Sequence, residues 1–518
     1  MATASAASPP GRVVRERVRV IEHELWILAA LVVAAAVVRF ATLGIQSYWY
    51  DEGVTVDLVG RPLGSMLRTI PHTESTPPLY YLVAWAWSRI TGSGEFGLRA
   101  LSALAGTLTV PLVYDAGRRL ASRRAGLVAA ALVAFNPFLI WYAQEARSYA
   151  FVVLLAAASF ALFVRALQAE TGGWRLPAAW AAVSALALLT HYFAAFLVGA
   201  EAVVLLVAAR RRRRGLTPTA VTVGAVTAVG LALVPLVIAQ AGTDRSAWIG
   251  QIPLERRMLE TAEQLLIGPI QPARIAGLAA TLALAAAVVW FGWVRGSGVQ
   301  RRAVALCAGL ALAPILLPAL LDLVELDVLI SRNAIVAWIP LAVAAGIALG
   351  GRSGGRAGLG VAAATCAVGL VASIAVAVTP SLQRTDWRAA AQLLAPRSAA
   401  QVIVAPGGYQ AGPLDLYLRH ARELHGRRVR VTRIVELGYA PHTQAACWWG
   451  APCDMGARVA RITPPLPGFL LESTGRRGPF TASTFRAAHH HAVTRALLGG
   501  PRHGPGAVGV FVQGGNAR

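Results

Sequence analysis

LWILAALVVAAAVVRFATL, residues 25–43, runs directly into GIQSYWYDEGVTV, residues 44–56. The first stretch carries one charge, Arg39, in 19 residues. A helix rises about 1.5 Å per residue and a bilayer core is about 30 Å thick, so this length reads as a membrane span. No small-residue cleavage site follows it, so the span is expected to be retained. The second stretch sets Tyr48, Trp49 and Tyr50 and two adjacent acids, Asp51 and Glu52, at the mouth of that span. Interfacial aromatics are ordinary. On its own the Asp-Glu pair would also pass as an interfacial cap.

The rest of the chain repeats the first pattern. Of 518 residues, 56% are hydrophobic and 14% charged, against about 25% charged in soluble domains. Apolar runs at 25–43, 97–116, 125–142, 148–167, 177–191, 193–209, 217–240, 273–294, 303–321, 334–350 and 357–379 predict eleven spans. The fold class expected is a mainly α, polytopic helical bundle. The fifth and sixth runs are short for two crossings and long for one.

Arginine placement favours two crossings there. The net charge is +23 and the chain has no lysine. With eleven spans and a cytoplasmic N-terminus, 20 arginines fall on inner segments and 8 on outer loops before residue 380. The positive-inside rule asks for this bias, and it accounts for the charge better than a nucleic-acid partner does. The same parity puts the loop 44–96, the turns near 145 and 191, the segment 331–333 and everything after 379 outside the cell.

Four organisational units are expected: a cytoplasmic segment 1–24, a membrane domain 25–379 with the outer loop 44–96, an extracytoplasmic α/β domain 380–498, and a frayed end 499–518. In the tail, 386–396 and 413–426 read as helices, 400–406 and 428–437 as strands. Cys307 and Cys366 read as small apolar residues of spans. Cys447 and Cys453, in CWWGAPC, are expected to pair in an oxidising exterior. Zinc is less favoured because no CxxC pair accompanies them.

Chemistry-bearing side chains gather on the same outer face. PHTESTPPLYYLVAWAW (71–87) offers Glu74 ahead of Pro77 and Pro78, where a divalent cation could be held. NPFLIWYAQEARSYAF (136–151) offers Glu145, Arg147 and Tyr149 between two spans. THYF (190–193) offers His191 and Tyr192, and SRNA (331–334) offers Arg332 and Asn333. Singly each has a bland reading: a surface loop, a snorkelling arginine, a satisfied histidine. His191 is open as a proton carrier, a metal ligand or a structural residue. Together the groups suit displacement at a lipid-linked phosphosugar. Guanidinium groups match the phosphate, and a carboxylate takes the acceptor's proton.

These motifs, YWYDEG, ESTPPLYYLVAWAW, YAQEARSYAF and THYF with an arginine before a late span, resemble the GT-C superfamily of membrane glycosyltransferases. The nearest branch resembles the bacterial family related to protein O-mannosyltransferases and lipid A aminoarabinose transferases. The similarity covers roughly residues 25–420. It implies a polyprenyl-phosphate-sugar donor, an inverting transfer to a lipid, polysaccharide or protein of the envelope, and a site on the extracytoplasmic side of a bacterial cell membrane. Asp51 matches the catalytic base, with Glu52 beside it. Glu74 matches an acid that binds a metal in some members, so Mg²⁺ or Mn²⁺ at Glu74 and His191 is expected if a metal is used. Glu145, Arg147, Tyr149, Tyr192, Arg332 and Asn333 are expected to bind substrate. The aminoarabinose enzymes carry a lysine right after the acid, where this chain has Ser75.

Two other classes compete. A transporter or flippase needs ionisable groups deep in spans or a repeat symmetry; Arg39 and Arg99 are the obvious charges inside spans, and no repeat is evident. An inactive envelope-assembly protein would keep the fold without needing Asp51.

Overall fold

The computed structural model describes residues 10–170, 172–243, 246–272, 274–394, 400–407, 411–418, 421–424, 428–439, 460, 462–499 and 508–514. Cys447 and Cys453, and with them the expected disulfide, lie outside these residues. Among the described residues, seventeen α-helices precede residue 379: α1 (Pro10–Phe40), α2 (Tyr50–Gly60), α3 (Leu63–Thr73), α4 (Leu79–Thr91), α5 (Glu95–Leu120), α6 (Arg123–Phe135), α7 (Pro137–Ala143), α8 (Tyr149–Gln168), α9 (Arg175–Thr190), α10 (Ala194–Arg212), α11 (Leu216–Ala232), α12 (Val234–Ala241), α13 (Leu254–Ile267), α14 (Arg274–Ala287), α15 (Gly298–Leu321), α16 (Trp338–Gly350) and α17 (Gly355–Val378).

Each of the eleven apolar runs falls mainly on one of these helices or on two joined end to end; the run 273–294 continues from α14 into a π-helical segment, Val288–Val294, and the run 334–350 enters α16 from a 3-10 turn, Ser331–Ala337. Among the described residues, eight helical stretches are long and apolar enough to cross a bilayer, nine if the bent pair α6–α7 counts as one. The difference from eleven sits at α9 and α10. α9 has 16 residues, and α10 carries Glu201 and ends in arginines. α11–α12 and α17 leave most of their apolar surface exposed, as lipid-facing helices do.

Small residues let the central helices touch backbone to backbone. A Cβ on Gly346 of α16 would come within 2.4 Å of the Ala125 carbonyl of α6, the close approach typical of helices packed in lipid. Where α6 meets α7 the axis turns by 58°. Pro137 has no N–H for the Val133 carbonyl. The Arg39 guanidinium supplies the missing donor, 3.0 Å from Val133 O and 2.9 Å from Ala134 O. One of the two charges foreseen inside spans thus closes a helix end. Asn136 caps the new helix, accepting from the Leu139 N–H at 2.9 Å, and the bend delivers residues 144–148 to the end of the bundle that carries Asp51 and Glu52.

Glu201, a third ionisable residue inside a span, escaped the sequence reading. It is buried and accepts from Ser159 Oγ at 2.6 Å and Trp180 Nε1 at 2.8 Å, so it ties α8, α9 and α10 together.

The tail holds α18 (Trp387–Leu393), β1 (Gln401–Pro406), α19 (Leu414–Tyr417), β2 (Ala421–Glu423), β3 (Val429–Tyr439), β4 (Phe469–Arg477), β5 (Phe480–Val493), α20 (Arg495–Leu498) and β6 (Val508–Gln513). The strand order is β2-β6-β1-β3-β5-β4, parallel at β1–β3 and antiparallel at the other pairs. Two expectations are corrected. The helix read over 413–426 is one turn, Leu414–Tyr417, followed by edge strand β2, whose residues pair with β6. The end expected to fray contributes β6, six buried residues lying between β2 and β1.

This domain is pinned to the first loop. Ser47 Oγ donates to the Thr385 carbonyl and accepts from the Trp387 N–H, both at 2.9 Å. The Tyr417 hydroxyl accepts from the Tyr48 N–H at 2.7 Å and donates to Glu95 at 2.8 Å. Arg388 pairs with the same Glu95.

Candidate active site

Asp51 and Glu52 lie in the first turn of α2, and their side chains part company. Glu52 is wholly buried and accepts two bonds from Arg99 of α5, Nε to Oε1 at 2.7 Å and Nη2 to Oε2 at 2.6 Å. Arg99 also donates to the carbonyls of Leu43, Gln46 and Ser47, and the Ala146 N–H donates to Glu52 at 2.8 Å. Burial alone would raise the Glu52 carboxyl, but the Arg99 charge and its hydrogen bonds outweigh burial and hold it below the usual range. The pair fixes the chain that leads into α2. Glu52, expected to share the chemistry with Asp51, has both of its oxygens taken by hydrogen bonds, and these contacts fix the backbone beside Asp51.

The same device recurs twice. Glu74, at the end of α3, receives both ends of the Arg147 fork at 2.9 Å each, and Arg147 Nη1 also donates to the Asp51 backbone carbonyl at 3.2 Å. Arg147, expected to bind substrate, turns its terminal nitrogens to Glu74 and the Asp51 carbonyl and so clamps α2 to the loop 74–78. Glu145 is paired with Arg384 from the start of the tail at 2.6 Å, while its Oε2 is buried with no partner. The Arg384 guanidinium carbon lies over Trp141, 3.9 Å from the ring centroid. Arg99 was seen in the sequence only as a charge within a span, and Arg384 was missed. The signal for Arg384 was its place, just after the last apolar run.

Asp51 is the open carboxylate of the four. Its side chain keeps 20% of its surface accessible, against 0%, 2% and 1% for Glu52, Glu74 and Glu145. Its partner Arg332 is looser, at 3.6 Å, and is itself 26% accessible. Arg332 sits in a 3-10 turn, Ser331–Ala337, below the ring of Trp248 at 5.8 Å. Arg257 anchors the 3-10 turn that carries Trp248, Ala247–Gln251: it bonds the Ile252 carbonyl just after the turn and pairs with Asp322 and Asp327.

The remaining expected residues are sorted by their contacts. Tyr149 is buried, with its ring edge-on to Tyr142 at 4.9 Å and 5.7 Å from His191. His191 is buried and faces the charges of Arg147 and Arg332. The Tyr192 hydroxyl donates to Gln240 at 2.8 Å, and Gln240 in turn donates to the Thr76 carbonyl at 3.1 Å. Asn333 closes its own turn by donating to the Val328 carbonyl at 2.8 Å. Asp51, Arg147, Arg332, Tyr149, Glu145 and His191 therefore converge, while Tyr192 and Asn333 brace the loops around them.

A divalent cation does not fit the residues expected to hold it. Both Glu74 oxygens are occupied by Arg147, and among the described residues no group of three or more His, Cys, Asp or Glu is gathered to bind a metal.

Glu145 makes the pH behaviour of this cluster testable. Burial, reinforced by the Glu52 and Asp51 charges and opposed by Arg384, pushes its carboxyl up to about 7. A carboxyl raised on folding binds its proton more tightly in the native state. Its contribution to stability is then full below the ordinary carboxylate range and is lost as pH rises through about 7. Glu145→Gln is expected to flatten the fall in melting temperature between about pH 5 and pH 7, as read by thermal unfolding in detergent. An unchanged slope would assign the titration to another group.

Residues 75–238 match a family profile described as PMT_2, dolichyl-phosphate-mannose-protein mannosyltransferase. Comparison with curated proteins finds no match. ArnT from Cupriavidus metallidurans bound to undecaprenyl phosphate is 15% identical, with a TM-score of 0.54 over 91% of this chain and 99% of ArnT. The apo form of ArnT gives 14%, 0.55, 91% and 98%. The Archaeoglobus fulgidus oligosaccharyltransferase, in complex with Zn and sulfate, is 14% identical with a TM-score of 0.43 over 70% of this chain; the chain spans about half of its length, 54%. The chain shares its fold with the two ArnT structures.

Proposed function

We propose that the protein transfers a sugar from a polyprenyl-phosphate donor to a hydroxyl of an envelope acceptor, with inversion at the anomeric carbon. Asp51 takes the acceptor proton as its oxygen attacks the anomeric carbon. The sugar–phosphate bond breaks on the opposite face, and the lipid phosphate leaves with the bonding pair, its charge met by Arg332. Glu52, Glu74 and Glu145, each bonded to its own arginine, hold the loop in place around Asp51.

The observation that carries this reading is the contrast among the four acids. Three are sealed in ion pairs, and the fourth is accessible beside an accessible arginine. ArnT, with undecaprenyl phosphate bound, supports the choice of a lipid-phosphate donor. The direct test incubates the purified protein with a panel of polyprenyl-phosphate sugars and follows release of free lipid phosphate; no release from any donor would reject the reading.

Arg332→Ala is expected to lower kcat/KM for the donor by about 10- to 100-fold, the worth of a hydrogen bond to a charged group, and to leave the acceptor KM little changed. Arg332→Lys restores part of the loss, because it keeps the charge without the fork. Equal losses for donor and acceptor would remove the phosphate role.

In this reading the cleft faces the extracytoplasmic side of a bacterial cell membrane, with the N-terminus inside, an orientation the arginine bias supports. A cysteine placed at Ser473, on exposed strand β4, is expected to react with an impermeant thiol reagent in intact cells. Reaction only after permeabilisation would invert the orientation.

A further inference from the structure

At the end of α8, α9, α10 and α11 away from the cleft, the chain forms an open pocket of about 1070 Å³ whose arginines are exposed. α8 starts at Tyr149 and runs 20 residues, so the two sites lie about 30 Å apart at ~1.5 Å per residue. The volume is at the upper end of ordinary ligand pockets, about 300–1,000 Å³. Leu176, Leu205 and Ala208 line it with hydrocarbon; Arg175, Arg212 and Arg214 line it with charge.

The cavity is built from fixed parts. Its two connecting turns meet backbone to backbone, and a Cβ on Gly172 would come 2.5 Å from Gly215 N. Gly215 adopts φ +67°, a left-handed conformation that glycine accepts without strain. Arg212 Nη1 donates to the Leu167 carbonyl at 2.7 Å, fastening the end of α10 to the end of α8.

Its charge is not neutralised as it is next door. Arg118, Arg119 and Arg165, at the same end of the bundle, all converge on Asp115. Among the described residues no ion pair holds Arg175, Arg212 or Arg214, although the exposed Glu170 also lines the cavity. Topology alone explains why arginines lie at this end. It does not explain why three of them surround an apolar-walled hollow.

We propose that this cavity binds an anionic phospholipid of the leaflet opposite the cleft, with its phosphate among Arg175, Arg212 and Arg214 and the upper part of its chains against Leu176, Leu205 and Ala208. The matching chemistry is a phosphate attached to a hydrocarbon body, presented at the bilayer surface. The proposal needs the chain only to be membrane-embedded and is independent of the transfer reaction.

The test measures binding of fluorescent phosphatidylglycerol to the full-length protein in phosphatidylcholine nanodiscs. Arg212→Ala with Arg214→Ala is expected to weaken binding roughly 25-fold, about fivefold per arginine. Arg210→Ala with Arg211→Ala removes the same charge from the same run outside the cavity, and should change binding less than about twofold if the contacts are specific. Ala208→Phe keeps every arginine, fills the hollow and should also lose binding. Equal loss in the two arginine pairs would reduce the effect to diffuse surface charge and overturn the proposal. Full binding by Ala208→Phe, or displacement of the lipid by inorganic phosphate alone, would overturn it too.

Discussion

Asp51→Asn is expected to cut sugar transfer by roughly 10²–10⁴-fold, the range lost when a general base is removed, with unchanged expression and melting temperature. The carboxylate is partly accessible, and its one ion pair, to Arg332, is long at 3.6 Å. The amide keeps the shape and a hydrogen-bonding oxygen but cannot accept the acceptor's proton at neutral pH. The loss should fall on kcat, because the bond to the acceptor hydroxyl matters most when the proton moves. Release of lipid phosphate measures it directly. Wild-type turnover would transfer the role to another group, and Glu145, with its unpartnered buried Oε2, would be next in line. Asp51→Glu is a useful companion: the base survives but is displaced by a methylene, so partial activity is expected.

Arg99→Met is expected to cost about 3–5 kcal/mol, the penalty for stranding one member of a buried ion pair. It would also silence transfer. Arg99 is 1% exposed and serves Glu52 together with the carbonyls of Leu43, Gln46 and Ser47. Its loss leaves a carboxylate and three acceptors in a dry interior. Glu52→Gln should be milder, since the amide still accepts from Arg99 and from the Ala146 N–H. The double variant Glu52→Gln/Arg99→Met should recover part of the single Arg99 loss, because no unpaired charge remains. Thermal unfolding in detergent reads all three. A double variant no more stable than Arg99→Met would show that the carbonyl contacts, not the charge pair, carry the cost.

The membrane domain was legible because lipid imposes a compositional rule that each helix obeys by itself. Arg39 looked like a stray charge in the first span because its purpose, serving the Val133 carbonyl freed by Pro137, lies on another helix. The acids of the site were visible in their motifs, yet their roles were not. What separates Asp51 from Glu52 is which of them Arg99 reaches, 47 positions away, and Arg384 meets Glu145 across 239. Local spacing does not encode such pairings. β6 was hidden for a different reason: glycines and prolines flank a short run whose burial comes from strands β1 and β2 on either side.

The three sealed pairs also imply an order of assembly. Glu52 and Arg99 are both present once the second long helix has left the ribosome, and Glu74 can find Arg147 soon after. Glu145 must wait for Arg384, which follows the final hydrophobic helix. A nascent chain still in the translocon therefore has a half-latched pocket, and the last latch closes only when insertion is complete.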